Sequence, residues 1–157
     1  MNKTLKTVIL AAATLGFVAA PVLADKAAEK AIKARKAQMV LYAYNISTLG
    51  AMAKGKMAYD AKAAQAAANN LAALSNLAAG SMWPPGSDST ALPDQTRAKK
   101  EIWTTFPKVV EASKAMAKAS ATMAAEAGKG LDALRGAIGA LGASCGGCHK
   151  PFREPKK

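Results

Sequence analysis

Apolar residues recur along three stretches of this chain at alternating intervals of four and three positions. This spacing averages 3.5 residues, so each set lies on one helix face and predicts helices that pack nearly parallel or antiparallel. The first seam consists of Ala28, Ile32, Arg35, Met39, Tyr42, Ile46, Leu49 and Ala53. The second consists of Ile102, Phe106, Val109, Ser113, Met116, Ser120, Met123 and Ala127. The third consists of Leu131, Leu134, Ile138, Leu141, Cys145 and Cys148.

Glycine and proline residues divide the sequence into helical segments. We predict helices over residues 26–54, 60–80, 96–127 and 131–150. Asp60 is a preferred N-cap residue, and Pro107 is expected to kink the third helix or delay its start. Residues 81–95 contain three prolines without periodicity and form a loop. Short connections favour antiparallel neighbours, so the predicted fold class is all-α, an antiparallel up-down-up-down four-helix bundle.

The predicted core is thin. Hydrophobic residues make up 51% of the chain but are mostly alanine, and aromatic residues make up only 5%. Contacts between alanines bury little area, whereas a large apolar ligand between the helices would add burial at roughly 25 cal/mol per Å². The composition therefore favours a bundle that is completed by a ligand.

The N-terminal segment has the pattern of a secretory signal peptide. Residues 1–24 begin with two lysines, continue with a short apolar run and end on small residues at the usual cleavage offsets. The run is shorter than the roughly 20 apolar residues of a membrane span, and no later stretch resembles a span. We predict cleavage after Ala24, which leaves a periplasmic domain over residues 25–157 that does not span the membrane.

The chain is strongly basic, with a formal net charge of +12. A basic surface favours an acidic partner surface. Nucleic acid is a poor candidate, because the chain is exported and its lysines are not interleaved with aromatic residues. The alternative is a lysine-rich helical surface that serves solubility alone.

Both cysteines and the single histidine lie within five positions, in the stretch GASCGGCHK. Helical spacing puts Cys145 and Cys148 on one face, and His149 adjoins that face. C-x-x-C-H is the attachment signal of c-type haem, in which the thiols add across the porphyrin vinyl groups and the imidazole binds the iron. We predict one covalent haem c, held by Cys145 and Cys148 with His149 as an iron ligand.

Three other interpretations of this motif are open. A structural disulfide or redox dithiol uses the same C-x-x-C, but redox dithiols favour the start of a helix in a βαβ setting. Structural zinc usually needs four cysteine or histidine ligands, and the chain has three such residues. A chance motif in a helical binding protein without haem is the third.

The second axial position of the iron cannot hold a histidine from the same chain, so it holds methionine, solvent or nothing. The seams direct Met39, Met116 and Met123 inward, whereas Met52 falls outside its seam. A methionine at helical spacing most often fills the core. Met39 differs from the others because Arg35 lies one turn before it on the same face.

Arg35 occupies a seam position that should be apolar, and burial of an unpaired guanidinium is costly. A haem propionate would pair with it through two hydrogen bonds. Arg35 and Met39 would then bracket one ligand, with the propionate near one and the iron near the other. Alternatively, Arg35 reaches solvent past the end of the bundle or pairs with Glu29.

In these features the chain resembles the class II cytochromes c, which comprise cytochrome c prime and its low-spin relatives. The resemblance covers nearly all of the chain after residue 24. It is carried by the C-terminal C-x-x-C-H, by Arg35-Lys36-x-x-Met39, by GAMAKGKMAYD, by Glu101-Ile102-Trp103 and by His149-x-x-Phe152-Arg153.

The resemblance implies that Cys145 and Cys148 hold the haem and that His149 is the proximal ligand. It places Arg35 with Lys36 near a propionate and Arg153 beside the proximal face. It also suggests a homodimer formed through the first two helices. The chain departs from the pattern at Lys36, where relatives often have glutamine, and at Pro151, which is expected to stop the last helix early.

The role of the residue at Met39 separates two functions within this family. In the low-spin branch it binds the iron and gives an electron carrier, and this is our primary prediction, with a redox partner of acidic surface. In cytochrome c prime the residue packs over a five-coordinate iron that binds nitric oxide or carbon monoxide, and this is the alternative. Nothing in the sequence indicates a catalysed reaction.

Overall fold

The computed structural model describes residues 19–156, with side chains placed from residue 26 onward, and most of this part of the chain is helical. The helices are α1 Ala19–Ala53, α2 Ala61–Ser75, the single turn α3 Glu101–Thr104, α4 Phe106–Glu126 and α5 Leu131–Phe152. Helix α1 packs against α2 and α5, and α4 packs against the same two helices. The predicted all-α four-helix bundle is confirmed. Among the described helices, none is long and apolar enough to cross a membrane.

The predicted signal peptide lies mostly outside the described residues. Helix α1 begins at Ala19 and so includes the last residues before the predicted cleavage site. The division into residues 1–24 and 25–157 stays a prediction.

Two helix starts agree with the sequence. The Asp60 carboxylate accepts a hydrogen bond from the Ala63 N–H at 2.8 Å, which satisfies one of the free donors at the start of α2. Helix α4 starts at Phe106 with Pro107 in its first turn, where the missing proline N–H costs nothing. Proline thus delays the helix start, which was one of the two expected outcomes.

Helix α2 ends five residues before the expected Gly80. The Ser75 hydroxyl and the Asn76 amide both donate to the Ala72 carbonyl oxygen, at 2.9 and 2.8 Å. Short polar side chains that bind the backbone in this way compete with continued helix. The chain then forms a 3₁₀ turn over Ala79–Met82.

The expectation that Pro151 stops the last helix early is wrong. Helix α5 continues to Phe152, and the Arg153 N–H closes the turn onto the His149 carbonyl oxygen at 3.1 Å. Arg153 then leaves in an extended conformation and pairs with Ala98 in an isolated antiparallel bridge. This bridge fixes the chain end against the segment that precedes α3.

Two seam assignments also need correction. Met52 is buried, because it lies three residues beyond Leu49 and shares its helix face. Phe106 is 64% exposed, because non-helical Thr105 separates α3 from α4 and interrupts the period that a continuous helix would keep.

The buried apolar residues form two separate clusters. The larger cluster packs α1, α2, α4 and α5 around Leu49, Met52, Ala64, Ala67, Ala68, Leu71, Met123, Ala127, Leu134, Ala137 and Leu141. The smaller cluster consists of Ala98, Ile102 and Phe152, with Trp83 and Trp103 packed against it. The bundle is therefore closed at two places along its length.

Arg35 fastens the long loop between α2 and α3 to helix α1. The side chain is 3% exposed, and its two terminal nitrogens donate to the Met82 carbonyl oxygen at 3.3 Å, the Ser87 hydroxyl at 2.7 Å, the Ser87 carbonyl oxygen and the Thr96 hydroxyl at 2.9 Å. The guanidinium carbon also lies 4.6 Å from the centroid of the Trp83 ring. Burial lowers the pKa of Arg35 to about 10, so the group stays charged at neutral pH.

The N-cap at Asp60 yields a direct stability test. Asp60→Ala should lower the free energy of unfolding by about 1 kcal/mol, because the Ala63 N–H loses its acceptor. Asp60→Asn retains an acceptor and should stay close to wild type. Urea denaturation of the three proteins measures the difference, and an unchanged midpoint for the alanine variant would contradict the cap.

The loop contacts of Arg35 yield a second test. Arg35→Met should destabilise the protein by at least the value of one charge-assisted hydrogen bond, about 1.5–3 kcal/mol, because several buried oxygens lose their donor. Lys33→Met is the matched control, since Lys33 is an exposed cation of the same helix, and it should change stability by less than about 0.5 kcal/mol. Equal stability of the two variants in urea denaturation would show that the network contributes nothing.

Candidate haem site

A cavity of about 570 Å³ lies between the two core clusters. Its walls come from α1, α4, α5 and the loop that precedes α3. Tyr42, Ile46 and Met116 belong both to its lining and to the edge of the larger cluster. Trp83, Val109 and Phe152 belong both to the lining of the cavity and to the smaller cluster. The volume falls within the roughly 300–1,000 Å³ of cofactor and ligand sites.

All seven residues predicted for the site line this one cavity. They are Arg35, Lys36, Met39, Cys145, Cys148, His149 and Arg153. The first three come from one stretch of α1, and the others come from the end of α5 and its C-cap. The structure thus brings the predicted residues together, while the role of each stays a prediction.

The last turns of α5 carry the attachment motif. Cys145 and Cys148 are half-buried free thiols on the cavity wall. Burial raises the pKa of the Cys145 thiol, and burial together with the neighbouring Cys145 raises the pKa of Cys148. The two thiols are not joined to each other as a disulfide.

His149 lies beside these thiols on the same wall and is also half-buried. Burial lowers the pKa of its imidazole, and the positive charges of Arg153 and Arg97 lower it further. The neutral ring that results offers the lone pair that a metal ligand needs.

The donors of Arg35 are satisfied by neutral oxygens, whereas its charge forms no ion pair among the described residues. Each of the two terminal nitrogens donates two hydrogen bonds, and the acceptors are oxygens of the loop and of Thr96. The side chain does not reach solvent, and Glu29 accepts instead from the Gln95 amide at 3.2 Å. A propionate is therefore not needed to satisfy the donors, but the buried charge still lacks an opposite charge. A contact between Arg35 and a propionate stays a prediction, and it must use Nε or displace a loop oxygen.

The structure reduces the number of methionines that could be the second axial ligand of the iron. Met123 is completely buried in the larger core cluster and does not line the cavity. Met116 lines it, and its sulfur lies 3.2 Å from the Ser144 hydroxyl oxygen. Met39 lines it with its side chain 39% exposed. Of the three methionines that the seams direct inward, Met39 thus has the most exposed side chain.

Several residues of the wall were not predicted as site residues. Trp83 and Arg97 belong to the aperiodic loop and the segment that follows it, where spacing holds no signal about what they approach. Tyr42 was recognised only as a member of the first seam. The seam does indicate that the Tyr42 side chain faces inward. It does not indicate that this side chain faces a cavity.

The residues fit a haem c. The two thiols and the imidazole lie together on one apolar wall, and the cavity separates two otherwise closed cores. Cys145 and Cys148 would hold the porphyrin, and His149 would bind the iron.

Comparison with known proteins agrees with this assignment. The family model of cytochrome c′ matches residues 30–153. Cytochrome c-554 of Cereibacter sphaeroides is 38% identical over 91% of this chain and 94% of its own. Further relatives at 30–35% identity are named cytochrome c′.

Two solved structures have the same fold. A cytochrome c′ from a Rhodobacter species superposes with a TM-score of 0.79 at 35% identity, over 82% of this chain and 98% of that one. The nitric oxide complex of a variant cytochrome c prime from Alcaligenes xylosoxidans superposes with a TM-score of 0.72 at 30% identity, over 82% and 97%. The chain described here belongs to the cytochrome c′ family and is a monohaem cytochrome with one covalently bound haem c.

Proposed function

We propose that this protein is a gas-binding cytochrome of the cytochrome c′ type, whose five-coordinate iron takes nitric oxide or carbon monoxide. The bound haem supplies an iron with one open face. His149 would bind the iron, and Cys145 and Cys148 would hold the porphyrin on the α5 wall. Met39 packs in the cavity without binding the iron.

The observation that carries the proposal is the likeness to a cytochrome c prime whose structure contains nitric oxide. This chain covers 97% of that protein, so the two share the whole bundle and not only the attachment motif. The family model and most of the relatives reported above are also named cytochrome c′. The comparisons therefore favour the alternative of the sequence analysis over its primary prediction, the His/Met-ligated electron carrier.

The walls of the cavity suit a small apolar guest. Ile46 and Val109 present hydrocarbon surface, and Phe152 closes the end near the smaller cluster. Such walls exclude water, which would otherwise compete for an open position on a metal. Nitric oxide and carbon monoxide are small and weakly polar, so they enter this environment at little desolvation cost.

A second function is favoured by one observation, the position of Met39. Its side chain lines the cavity that also holds His149, whereas the sulfur of Met116 is in contact with the Ser144 hydroxyl. If the Met39 sulfur binds the iron, the iron is six-coordinate and the protein is a carrier of single electrons. Met/His ligation raises the reduction potential and leaves no position for a gas.

The rim of the cavity is basic. Lys36, Arg97 and Arg153 are exposed there, and none of them forms an ion pair among the described residues. Unpaired cations at the mouth of a redox site attract a partner of opposite charge. We expect the protein that reduces the haem to dock through an acidic surface, in the periplasm to which residues 1–24 would direct the chain.

We also propose a homodimer that uses the outer face of α1. Val40, Leu41 and Tyr44 lie on adjacent positions of that face and are 66%, 50% and 69% exposed. Large apolar side chains grouped in this way indicate a protein contact.

The absorption spectrum of the reduced protein tests the proposed function. We expect one broad band in place of sharp α and β bands, and ready uptake of carbon monoxide, because the iron has an open position. Met39→Ala should leave the band shape unchanged. Sharp bands in wild type that become broad in the Met39→Ala protein would show that Met39 is a ligand and that the protein is a carrier.

Sedimentation of the haem-loaded protein tests the dimer. Tyr44→Glu should convert a dimer to a monomer, because a carboxylate would be buried in the contact. Phe106→Glu is the matched control, since Phe106 is 64% exposed but lies on α4, and it should leave the dimer intact. A monomeric wild type, or a dimer that both variants preserve, would contradict the proposal.

A further inference from the structure

Tyr42 places a phenol on the α1 wall of the cavity. It lies three residues beyond Met39, so the two side chains share one helix face, and both line the cavity. The residue is half-buried, and it is the one tyrosine among the residues of the wall. Its hydroxyl is therefore a polar group within a mainly apolar site.

Two of the four other side-chain hydroxyls of the wall already donate within the protein. Ser75 donates to the Ala72 carbonyl oxygen at 2.9 Å. Ser144 donates to the Leu141 carbonyl oxygen at 2.7 Å and contacts the Met116 sulfur. A hydroxyl has one proton to give, so these two groups have little left for a guest in the cavity.

Tyr42 is arranged differently, because its hydroxyl donates no hydrogen bond to any other described residue. The Gln38 amide nitrogen donates to the Leu74 carbonyl oxygen at 2.9 Å, which fixes the amide between α1 and α2. Gln38 also lies near the Tyr42 hydroxyl, and its side chain lowers the pKa of the phenol against the larger effect of burial. The phenol proton is then free to point elsewhere.

Burial raises the pKa of Tyr42 above its usual value despite the Gln38 contact. The phenol is therefore protonated throughout the physiological pH range. It is a donor of fixed protonation state on the wall that also carries Met39.

We propose that Tyr42 donates a hydrogen bond to the outer atom of the diatomic ligand in this cavity and so sets the affinity and polarity of the gas site. This inference rests on the gas-binding function proposed above. It makes Tyr42 a specificity-determining residue, because a donor favours the ligand that gains negative charge on its outer atom.

Infrared spectroscopy of the reduced, haem-loaded protein with carbon monoxide tests the proposal. A donor to the outer oxygen weakens the C–O bond, so Tyr42→Phe should move the C–O stretch to higher frequency. The same variant should release carbon monoxide about two- to tenfold faster, which corresponds to the loss of one hydrogen bond. Tyr59→Phe is the matched control, since it removes a phenol that donates to the Ala127 carbonyl oxygen and does not line the cavity, and it should change neither quantity.

The wild-type protein provides a second measurement that needs no variant. A hydrogen bond from an exchangeable proton makes the C–O stretch sensitive to heavy water, and Tyr42→Phe should remove that sensitivity. If wild type binds carbon monoxide and neither heavy water nor Tyr42→Phe changes the stretch, Tyr42 only packs and the proposal is wrong. If wild type does not bind carbon monoxide, the proposed function is wrong and this inference fails with it.

Discussion

The structure depends on a gap between two small cores. Alanine supplies much of the larger cluster, and the smaller cluster has only three buried members, so neither fills the bundle. The walls between them carry Tyr42, Met116, Val109 and other side chains that face a cavity and not each other. Hydrophobic stabilisation scales with the apolar area removed from water, and these walls gain it fully only when a large apolar group lies between them. The haem is thus part of the core as well as the functional group.

The last turns of α5 meet this requirement with three side chains. Cys145 and Cys148 attach the porphyrin to the wall, and His149 is held neutral beside them by burial and by two nearby guanidinium groups. Another part of the cavity wall is the loop before α3, which Arg35 fastens to α1 through buried hydrogen bonds. One cation therefore positions Trp83 and Thr96 on the cavity wall, and its role is at least partly structural. The binding properties of the iron then depend on the side chains that α1 contributes to the cavity wall, among them Met39 and Tyr42.

Regular spacing in the sequence predicted the helices, the antiparallel bundle and the attachment motif, because seams and short connections are local signals. Local chemistry also explains the errors. Asn76 ends α2 early, Thr105 separates α3 from α4, and α5 continues through Pro151 because the Arg153 N–H closes its last turn. The seven predicted site residues do line one cavity. The sequence could not predict the partners of these residues that lie in or near the aperiodic loop. Tertiary structure alone brings the loop oxygens to Arg35 and places Arg97 near His149.

Intact-mass measurement of the protein purified from the periplasm tests the central claim, that a covalently attached porphyrin completes this bundle. The account predicts the mass of residues 25–157 plus one haem, with no thiol available to an alkylating reagent under denaturing conditions. A folded, helical protein with the mass of the polypeptide alone and two reactive thiols would contradict it.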